Sequence, residues 1–309
     1  MNILKPKFWD KNQISFFAIS LFPIAILIQL LNLIKNLFVK KINFSIPVIC
    51  VGNIYLGGTG KTPFCIELQS ILKRLNKNPA FIRKKYKAYE DEINSLKKVG
   101  LVYESAKRSI ALKDAIKNNC NVAILDDGFQ DFSIQKDLTL ICFNEAQWIG
   151  NGLTIPSGPL RENLTALKRA NFVIVNGKRN TDIEEKILKN NKLIKIFYTK
   201  HVPQNINNFK NESAITFAGI GNPCNFFKLL SENGIKILEE ISFPDHHNYK
   251  KEELINLINK AKDKDAILLT TEKDYLRIDN NYKDSIKYLE IKTKLENESQ
   301  FIEEIKKFV

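Results

Sequence analysis

The sequence predicts an α/β fold: a P-loop NTPase-like, mostly parallel sheet with a second, smaller α/β lobe and an N-terminal membrane-associated helix. Three observations support this prediction. Apolar, β-branched runs alternate with segments of helical periodicity, one such pair is joined by a glycine-rich turn ending in Gly-Lys-Thr at residues 60–62, and a long uncharged stretch precedes them. We therefore expect a membrane element at 1–41, a P-loop core at 42–175 and a smaller C-terminal lobe at 176–309.

The membrane element is predicted from an absence of charge. No charged residue occurs from Asn12 to Ile34, and lysines flank this apolar stretch on both sides. A helix over the stretch would be about 35 Å long, enough to cross a ~30 Å hydrocarbon layer, although Pro23 would kink it. A buried core helix is the alternative. We favour a helix that lies in, or dips into, an anionic membrane surface, with true spanning left open.

The glycine-rich turn predicts a phosphate-binding loop. The segment "VGNIYLGGTGKTPF" (51–64) follows a buried strand and leads into a helical repeat, as such a loop requires. Backbone N–H groups at the helix start would hold phosphates, the lysine would reach the β and γ oxygens, and the threonine would bind Mg²⁺. A glycine-rich turn without ligand is the alternative, because the common pattern has glycine where this chain has tyrosine. The expected nucleotide contacts are Tyr55, Leu56, Gly57, Gly58, Thr59, Gly60, Lys61 and Thr62.

A second apolar strand ends in the acidic residues that a nucleotide-bound metal needs. In "NVAILDDGFQD" (121–131), Asp126 and Asp127 follow a run of apolar residues. Neighbouring strand residues point to opposite faces, so we expect one aspartate to face Mg²⁺ and Thr62 while the other bonds the backbone or reaches toward substrate. On its own, an apolar run that ends in Asp-Asp-Gly is a common turn.

Charge and missing motifs narrow the kind of nucleotide chemistry. The formal net charge of +13 indicates an acidic partner, such as nucleic acid, an anionic membrane or a phosphorylated substrate. A nucleic-acid motor would need further motifs and a basic patch interleaved with aromatic residues, which are not apparent. Guanine-specific proteins carry Asn-Lys-x-Asp, whereas "NGKR" (176–179) has no aspartate and "TEKD" (271–274) has the wrong spacing. The remaining candidate is an enzyme that transfers a γ-phosphoryl group to a small-molecule or lipid acceptor.

Six segments in order resemble the motifs of one enzyme family. "GNIYLGGTGKTP", "LDDGFQD", "GNGLTIPSGPLRE", "FAGIGNPCNFF", "FPDHHNY" and "TTEKD" are similar to those of the tetraacyldisaccharide 4′-kinases, whose loop normally lacks the glycine that Tyr55 replaces here. The resemblance covers nearly the whole chain, including the membrane helix. It implies ATP- and Mg²⁺-dependent phosphorylation of the 4′-hydroxyl of a lipid disaccharide 1-phosphate, in lipid A biosynthesis, at the cytoplasmic face of the bacterial inner membrane. No nucleic acid and no obligate protein partner is indicated.

The resemblance also implies roles for single residues around the nucleotide. Lys61 and Thr62 match the family's phosphate and metal contacts. Asp126 and Asp127 match its acidic strand, and Gln130 matches the turn after that strand. The implied metal ligands are therefore the threonine and the two aspartates, with the glutamine as a further nucleotide contact.

An arginine on a loop is implied as the residue that stabilises charge on the transferring phosphoryl group. Arg161 in "GPLRE" matches that position, with Glu162 beside it, and such an arginine can contribute ~10³ to 10⁵ in rate. Without the motif, an isolated arginine of this kind would be interpreted as a solvated loop cation. Arg108 matches a further basic position after a short strand.

The implied general base lies where the chain departs from the family. The family has an Arg-Gly-Tyr-Gly-Gly segment and then Gly-Asp-Glu-Pro, whereas this chain reads "FIRKKYKAYEDEINSL" (81–96). Asp91 is retained and is the candidate base, with His246 of "PDHHNY" orienting it or sharing the proton. An acidic surface cluster at 90–92 and a structural histidine are the alternatives. A metal site at His246 and His247 fits poorly, because adjacent residues face opposite ways.

The smaller lobe is predicted from further alternation after residue 177. Strands at "KIFYTK", "SAITFAGI" and "AILLTTEK" alternate with helices at "PCNFFKLLSEN" and "KEELINLINKAK". We expect this lobe to face the core, with the site in the cleft between them. The competing function is a membrane-associated P-loop ATPase that acts as a regulatory or binding module. Such a module needs no acceptor site, so "GPLRE" and "PDHH" favour the kinase.

Overall fold

The computed structural model describes residues 6–10, 13–85 and 90–309. The strands are β1 Val48–Gly52, β2 Pro79–Lys84, β3 Leu101–Ser105, β4 Val122–Asp126, β5 Leu138–Asn144, β6 Phe172–Asn176, β7 Lys195–Pro203, β8 Ser213–Ala218, β9 Lys236–Ser242, β10 Ile267–Thr271, β11 Lys287–Leu289 and β12 Ile291–Leu295. The α-helices are α1 Phe16–Leu37, α2 Lys61–Arg74, α3 Glu90–Lys97, α4 Arg108–Lys117, α5 Thr181–Asn190, α6 Pro223–Glu232, α7 Lys251–Asp263, α8 Glu272–Arg277, α9 Asn280–Lys283 and α10 Glu298–Ile305. Short 3₁₀ turns lie at Lys7–Trp9, Leu164–Arg169 and Ile206–Phe209.

The larger sheet has the strand of the phosphate-binding loop near its centre. Its strand order is β12-β7-β6-β5-β1-β4-β2-β3. β1 is parallel to both of its neighbours, with Val51 opposite Asp126 of β4 and Leu140 of β5. All five residues of β1 are buried, since apolar clusters cover both faces of the sheet. The carboxyl ends of these three strands therefore meet at one edge, where ligands of open α/β sheets bind.

The first compact unit extends further along the chain than the expected core of 42–175. It continues to Lys200 and includes Thr293–Val309. β7, which contains the "KIFYTK" segment expected in the smaller lobe, pairs in parallel with β6, and β12 lies next to β7. Phe301 of α10 packs edge to face against Phe64 of α2, with ring centroids 6.0 Å apart. The expected boundary falls inside the first unit, because pairing and packing across long sequence distances set its extent.

The second compact unit comprises His201–Lys292 and the start of α3. Its sheet has the strand order β11-β10-β8-β9, and each pair of neighbours is parallel. Helix α6 starts with a proline, which suits the first helical position, and packs its phenylalanines into one apolar cluster. Helix α7 packs its leucines into a second cluster. The unit is therefore a small α/β layer structure with its own core.

Helix α1 exposes most of its apolar surface. It starts after Ser15, whose hydroxyl accepts a hydrogen bond from the Ala18 N–H, and it continues through Pro23. Ala18 and Ala25 are fully buried, whereas most of the leucine, isoleucine and phenylalanine side chains around them are exposed. The helix is long and apolar enough to cross a membrane, and 11% of its apolar window is buried. It does not match the alternative of a buried core helix.

Candidate active site at the phosphate-binding loop

The phosphate-binding loop connects β1 to α2 through left-handed backbone. Gly57, Gly58 and Gly60 have φ angles of 79°, 64° and 78°, which strain any residue that carries a Cβ. Gly60 is the N-cap of α2, and no acidic residue lies in the first turn of this fully described helix. The first N–H groups of a helix have no intrahelical acceptor, and together with the helix dipole they favour an anion. The loop therefore has the backbone geometry that phosphate binding requires.

Two further segments lie against this loop. A Cβ on Gly58 would be 2.9 Å from Gln147 Oε1, and one on Gly60 would be 2.8 Å from Asn176 Nδ2. Gln147 follows β5, and Asn176 is the last residue of β6. The sequence alone did not indicate either contact. The "NGKR" segment, which lacks the aspartate of guanine-specific proteins, starts beside the phosphate-binding loop.

Tyr55 has its side chain turned into the protein. The ring is fully buried, and the hydroxyl donates to Asp10 Oδ1 at 2.7 Å. Burial, together with the Asp10 carboxylate, raises the pKa of Tyr55 far above its usual range, so the hydroxyl remains a hydrogen-bond donor. Any contact between Tyr55 and a nucleotide would come from its backbone. The tyrosine at the usual glycine position therefore serves the start of the loop and not its phosphate-facing surface.

Asp127 is the centre of a charged cluster at the end of β4. Its Oδ1 lies 3.2 Å from Lys61 Nζ and 2.8 Å from Arg161 Nη1. Arg108 is buried and donates a hydrogen bond to the Asp127 carbonyl at 2.7 Å. This bond stabilises the left-handed backbone of Asp127, whose φ is 59°. Burial alone would raise the pKa of Asp127, but the charges and hydrogen bonds of Lys61 and Arg161 lower it well below its usual range. Three predicted site residues thus meet at one ionised oxygen.

Asp126 has different partners from Asp127. Its carboxylate is fully buried, with Oδ2 3.4 Å from Arg83 Nε and Oδ1 accepting from Cys65 Sγ at 3.8 Å. Burial and the charge of Asp126 raise the pKa of Cys65, so this thiol stays protonated. The two carboxylates therefore have different partners, Arg83 beside Asp126 and Lys61 beside Asp127. Asp126 ends β4, whereas the backbone of Asp127 turns out of the strand with a left-handed φ of 59°.

Gln130 supports the segment that carries Arg161. Its Oε1 accepts from Arg161 Nη1 at 3.3 Å. Its Nε2 donates to Glu162 Oε1 and to the Asn53 carbonyl, both at 3.1 Å. Glu162 also pairs with Arg169. The turn after β4 is therefore bonded to the "GPLRE" segment, and the glutamine that we expected to contact nucleotide holds the arginine in this structure.

The acidic residues fit a magnesium ion that is held mainly by phosphate. Mg²⁺ usually takes one or two carboxylates, waters and substrate phosphates, and seldom a cage of protein ligands. Among residues 6–10, 13–85 and 90–309, no group of three or more His, Cys, Asp or Glu side chains could hold a metal. Thr62 at the start of α2, Asp126 at the end of β4 and Asp127 just after it offer one hydroxyl and two carboxylates at the same sheet edge. These are the residues that would hold the ion.

Comparisons with known proteins decide the family. The family model for tetraacyldisaccharide-1-P 4′-kinase (LpxK) matches residues 17–309. The chain belongs to this family. The tetraacyldisaccharide 4′-kinase of Pelagibacter ubique is 44% identical and covers 94% of this chain and 93% of its own length. That of Rickettsia bellii is 34% identical, with coverage of 99% and 98%.

A solved tetraacyldisaccharide 4′-kinase has the same fold. The crystal structure of LpxK from Aquifex aeolicus in complex with ATP superposes with a TM-score of 0.73 at 26% identity, covering 95% of this chain and 100% of that one. The resemblance inferred from the motifs is confirmed, as is the mostly parallel α/β fold with an apolar N-terminal helix. The alternative of a regulatory ATPase is not favoured, because the matched relatives are named kinases.

His246 lies in the second unit, on the loop after β9. Its backbone N–H donates to the Gly219 carbonyl, with a φ of 57°, and its imidazole is partly exposed. His247 instead stacks on Phe243 with ring centroids 4.7 Å apart, and its Nε2 lies 3.0 Å from Glu253 Oε2. His247 therefore has aromatic and carboxylate partners, whereas the ring of His246 is partly exposed.

The candidate base Asp91 is carried by the start of α3, in the same compact unit as His246. The side chains at 90–92, including that of Asp91, lie outside the part of the chain that the structure describes. The helix itself runs over Glu90–Lys97, so the backbone of the acidic cluster is helical. The assignment of the base stays a prediction.

Asp274 is a buried carboxylate below the His246 loop whose hydrogen bonds the sequence alone did not indicate. It is fully buried, and its Oδ1 accepts from the Gly219 N–H at 3.0 Å, the Tyr249 hydroxyl at 2.7 Å and Arg277 at 2.6 Å. Since the Gly219 carbonyl accepts from the His246 N–H, Asp274 fixes the backbone on which the histidine depends. The signal lies in "TTEKD", where a threonine caps the helix that presents the acid.

Proposed function

We propose that this chain transfers the γ-phosphoryl group of ATP to the 4′-hydroxyl of a tetraacyldisaccharide 1-phosphate, a precursor of lipid A. The observation that carries the proposal is the meeting of Lys61 and Arg161 at Asp127 Oδ1, beside the phosphate-binding loop. Family membership supports the choice of acceptor, because relatives that match almost the whole chain are named for this reaction.

The charged cluster supports catalysis by positioning and charge stabilisation. Phosphoryl transfer spreads negative charge over the phosphoryl oxygens, and fixed cations lower the energy of that state. Lys61 would contact the β and γ oxygens from the start of α2, and Arg161 would contact the group in transfer. Both cations bond to Asp127 in this structure, so a bound triphosphate would compete with the carboxylate for them.

The nucleotide and metal contacts follow the same edge of the sheet. We infer that the loop from Tyr55 to Thr62 holds the triphosphate, with Gln130 keeping the arginine segment against it. Thr62, Asp126 and Asp127 would hold Mg²⁺. The ion, when bound, neutralises charge between the β and γ phosphates.

The general base is proposed in the second unit. A sugar hydroxyl is a very weak acid, so a positioned group should accept its proton as the O–P bond forms. We propose Asp91 for this task, with His246 orienting the carboxylate or sharing the proton. Two observations support the pair: both residues belong to one compact unit, and the backbone of His246 is held in a left-handed conformation by its bond to Gly219.

Membrane association is proposed from α1 and from charge. The exposed apolar side chains of α1 would enter the hydrocarbon boundary, and the lysines beyond its ends would contact anionic headgroups. The net charge of +13 has the right sign for such a surface. We infer that the chain acts at the cytoplasmic face of the inner membrane, where ATP and a lipid acceptor are both accessible.

The deciding experiment is lipid turnover. Purified chain is incubated with ATP, Mg²⁺ and tetraacyldisaccharide 1-phosphate in mixed micelles, and both the lipid and the ADP are quantified. A 4′-phosphorylated lipid formed one to one with ADP is the expected result. ADP release at a rate that does not depend on the lipid would contradict the proposed kinase activity and indicate an ATPase. The variant Lys61→Ala controls for contaminating activity.

A further inference from the structure

The N-terminal segment bonds directly to loops of the phosphate site. Trp9 is buried, its indole N–H donates to the Pro156 carbonyl at 3.1 Å, and its carbonyl accepts from the Asn151 N–H at 2.8 Å. Asp10 accepts a hydrogen bond from the hydroxyl of Tyr55, at the start of the phosphate-binding loop. Insertion of an apolar helix into a membrane needs none of these bonds. They indicate that the segment has a second task.

Gln29 continues these contacts from the middle of α1. Its Nε2 donates to the Arg161 carbonyl at 3.0 Å, and its side chain is partly buried. Ala18 and Ala25 precede it by eleven and four residues, so all three lie along one side of the helix. The two alanines are fully buried, and their small side chains let the helix approach the protein closely. The polar residue in the apolar stretch is therefore an inward contact.

The peptide group of Arg161 is held from both sides. Its N–H donates to the Ile54 carbonyl at 2.6 Å, just before the phosphate-binding loop, and its carbonyl accepts from Gln29. Two residues earlier, the Pro159 carbonyl accepts from the Leu56 N–H at 2.9 Å. The arginine side chain that reaches Asp127 thus extends from a backbone that the loop fixes on one side and α1 fixes on the other.

We propose that Gln29 is a positioning residue for the transfer reaction, because it holds the Arg161 backbone so that the guanidinium stays at the phosphate-binding loop. The inference rests on the role proposed for Arg161. Displacements of about 1 Å in a catalytic group can lower rates strongly, so a bond that fixes the backbone matters to the rate. A single neutral hydrogen bond sets the scale, and we expect a loss of roughly 3- to 10-fold in kcat when it is removed.

The two tasks of α1 use different sides of the helix, so they can be separated. The exposed apolar side chains serve the membrane, whereas Ala18, Ala25 and Gln29 face the protein. Gln29→Met keeps the length and apolar character of the helix but removes the amide donor. Asn32→Met is the matched control, because Asn32 is an exposed amide on the same helix.

The experiment uses the full chain with anionic phospholipid vesicles that contain tetraacyldisaccharide 1-phosphate. Flotation measures membrane binding, and steady-state kinetics give kcat and the KM values for ATP and lipid. We expect Gln29→Met to float like the wild type and to keep its KM for lipid while kcat falls roughly 3- to 10-fold. Asn32→Met should keep the wild-type kcat, and its flotation and lipid KM show how far a more apolar α1 by itself changes membrane binding.

A double variant tests whether Gln29 acts through Arg161. If it does, adding Gln29→Met to Arg161→Lys should lower kcat little further, because the guanidinium that the bond positions is already gone. Independent losses that multiply, an unchanged kcat in Gln29→Met, or a loss confined to flotation and lipid KM would each overturn the proposal. A wild-type chain that does not phosphorylate the lipid would instead contradict the proposed function itself.

Discussion

Replacing Asp127 by asparagine removes the negative charge that two cations share. Its Oδ1 lies 3.2 Å from Lys61 Nζ and 2.8 Å from Arg161 Nη1, and a triphosphate has to displace these bonds to reach the cations. A hydrogen bond to a charged group contributes about 1.5 to 3 kcal/mol. Asp127→Asn removes one such competing interaction, so we expect ATP without metal to bind roughly 10- to 100-fold more tightly to the variant.

Transfer should change in the opposite direction. Asp127 is one of the carboxylates proposed to hold Mg²⁺, and a metal ion contributes several kcal/mol of charge stabilisation in a transition state. We expect kcat to fall by roughly 10³-fold in Asp127→Asn. The assay pairs calorimetric titration of ATP in excess chelator with lipid turnover in saturating Mg²⁺. Raised affinity without metal, combined with lost turnover, is the signature of a carboxylate that alternates between cations and metal.

The control is Asp182→Asn, which removes an exposed carboxylate from the first turn of α5. It changes the net charge by the same amount, so it corrects for long-range attraction of ATP to a more basic chain. Equal affinities for metal-free ATP in the wild type and in Asp127→Asn would refute the competition between carboxylate and phosphate. Normal turnover in Asp127→Asn would remove this residue from the metal site.

The remaining predictions concern the loop lysine, the N-terminal segment and the base. Lys61→Ala should lose most lipid turnover with its folded circular-dichroism spectrum intact, and near-normal turnover would contradict the phosphate-loop assignment. Deleting residues 1–38 should release the chain from vesicles and also lower kcat, whereas sedimentation with membranes at high salt would exclude anchoring by α1. Asp91→Asn and His246→Ala should each lower kcat by ~10² to 10⁴, and a dyad requires the double variant to be little worse than the worse single variant.

Local signals in the sequence were sufficient for the core of the site. The strand, the positive-φ glycines and the helix that begins at Lys61 are neighbours in the chain, so their arrangement follows from short-range geometry. Different partners for Asp126 and Asp127 were expected from strand alternation. In the structure Asp127 lies just beyond β4 with a φ of 59°, so the turn sets the position of its carboxylate. The sequence did not predict which of the two aspartates contacts Lys61. That choice depends on cations from distant segments, Arg83 on β2 and Arg161 after a long loop.

Features that depend on long-range contacts were less predictable. "KIFYTK" has the pattern of a strand in either unit, and its pairing with β6 is what assigns it to the first. Gln29 appeared in the sequence as a polar interruption of an apolar helix, whereas its partner is a carbonyl that lies 132 residues away in the chain. Asp274 was visible as part of a motif, but two of the three donors to its Oδ1, Gly219 and Tyr249, come from segments distant in the chain. The third, Arg277, lies on the same helix.

The packing of α10 has a consequence for biosynthesis. Phe301 of α10 fills the core space beside Phe64, which follows Lys61 by less than one turn of α2. A nascent chain can form the phosphate-binding loop early, but the helix behind that loop lacks part of its packing until α10 has been synthesised. The second unit is made before that moment. Ribosome-bound intermediates that lack α10 would therefore contain the strands and helices of the second unit but an incompletely packed nucleotide site.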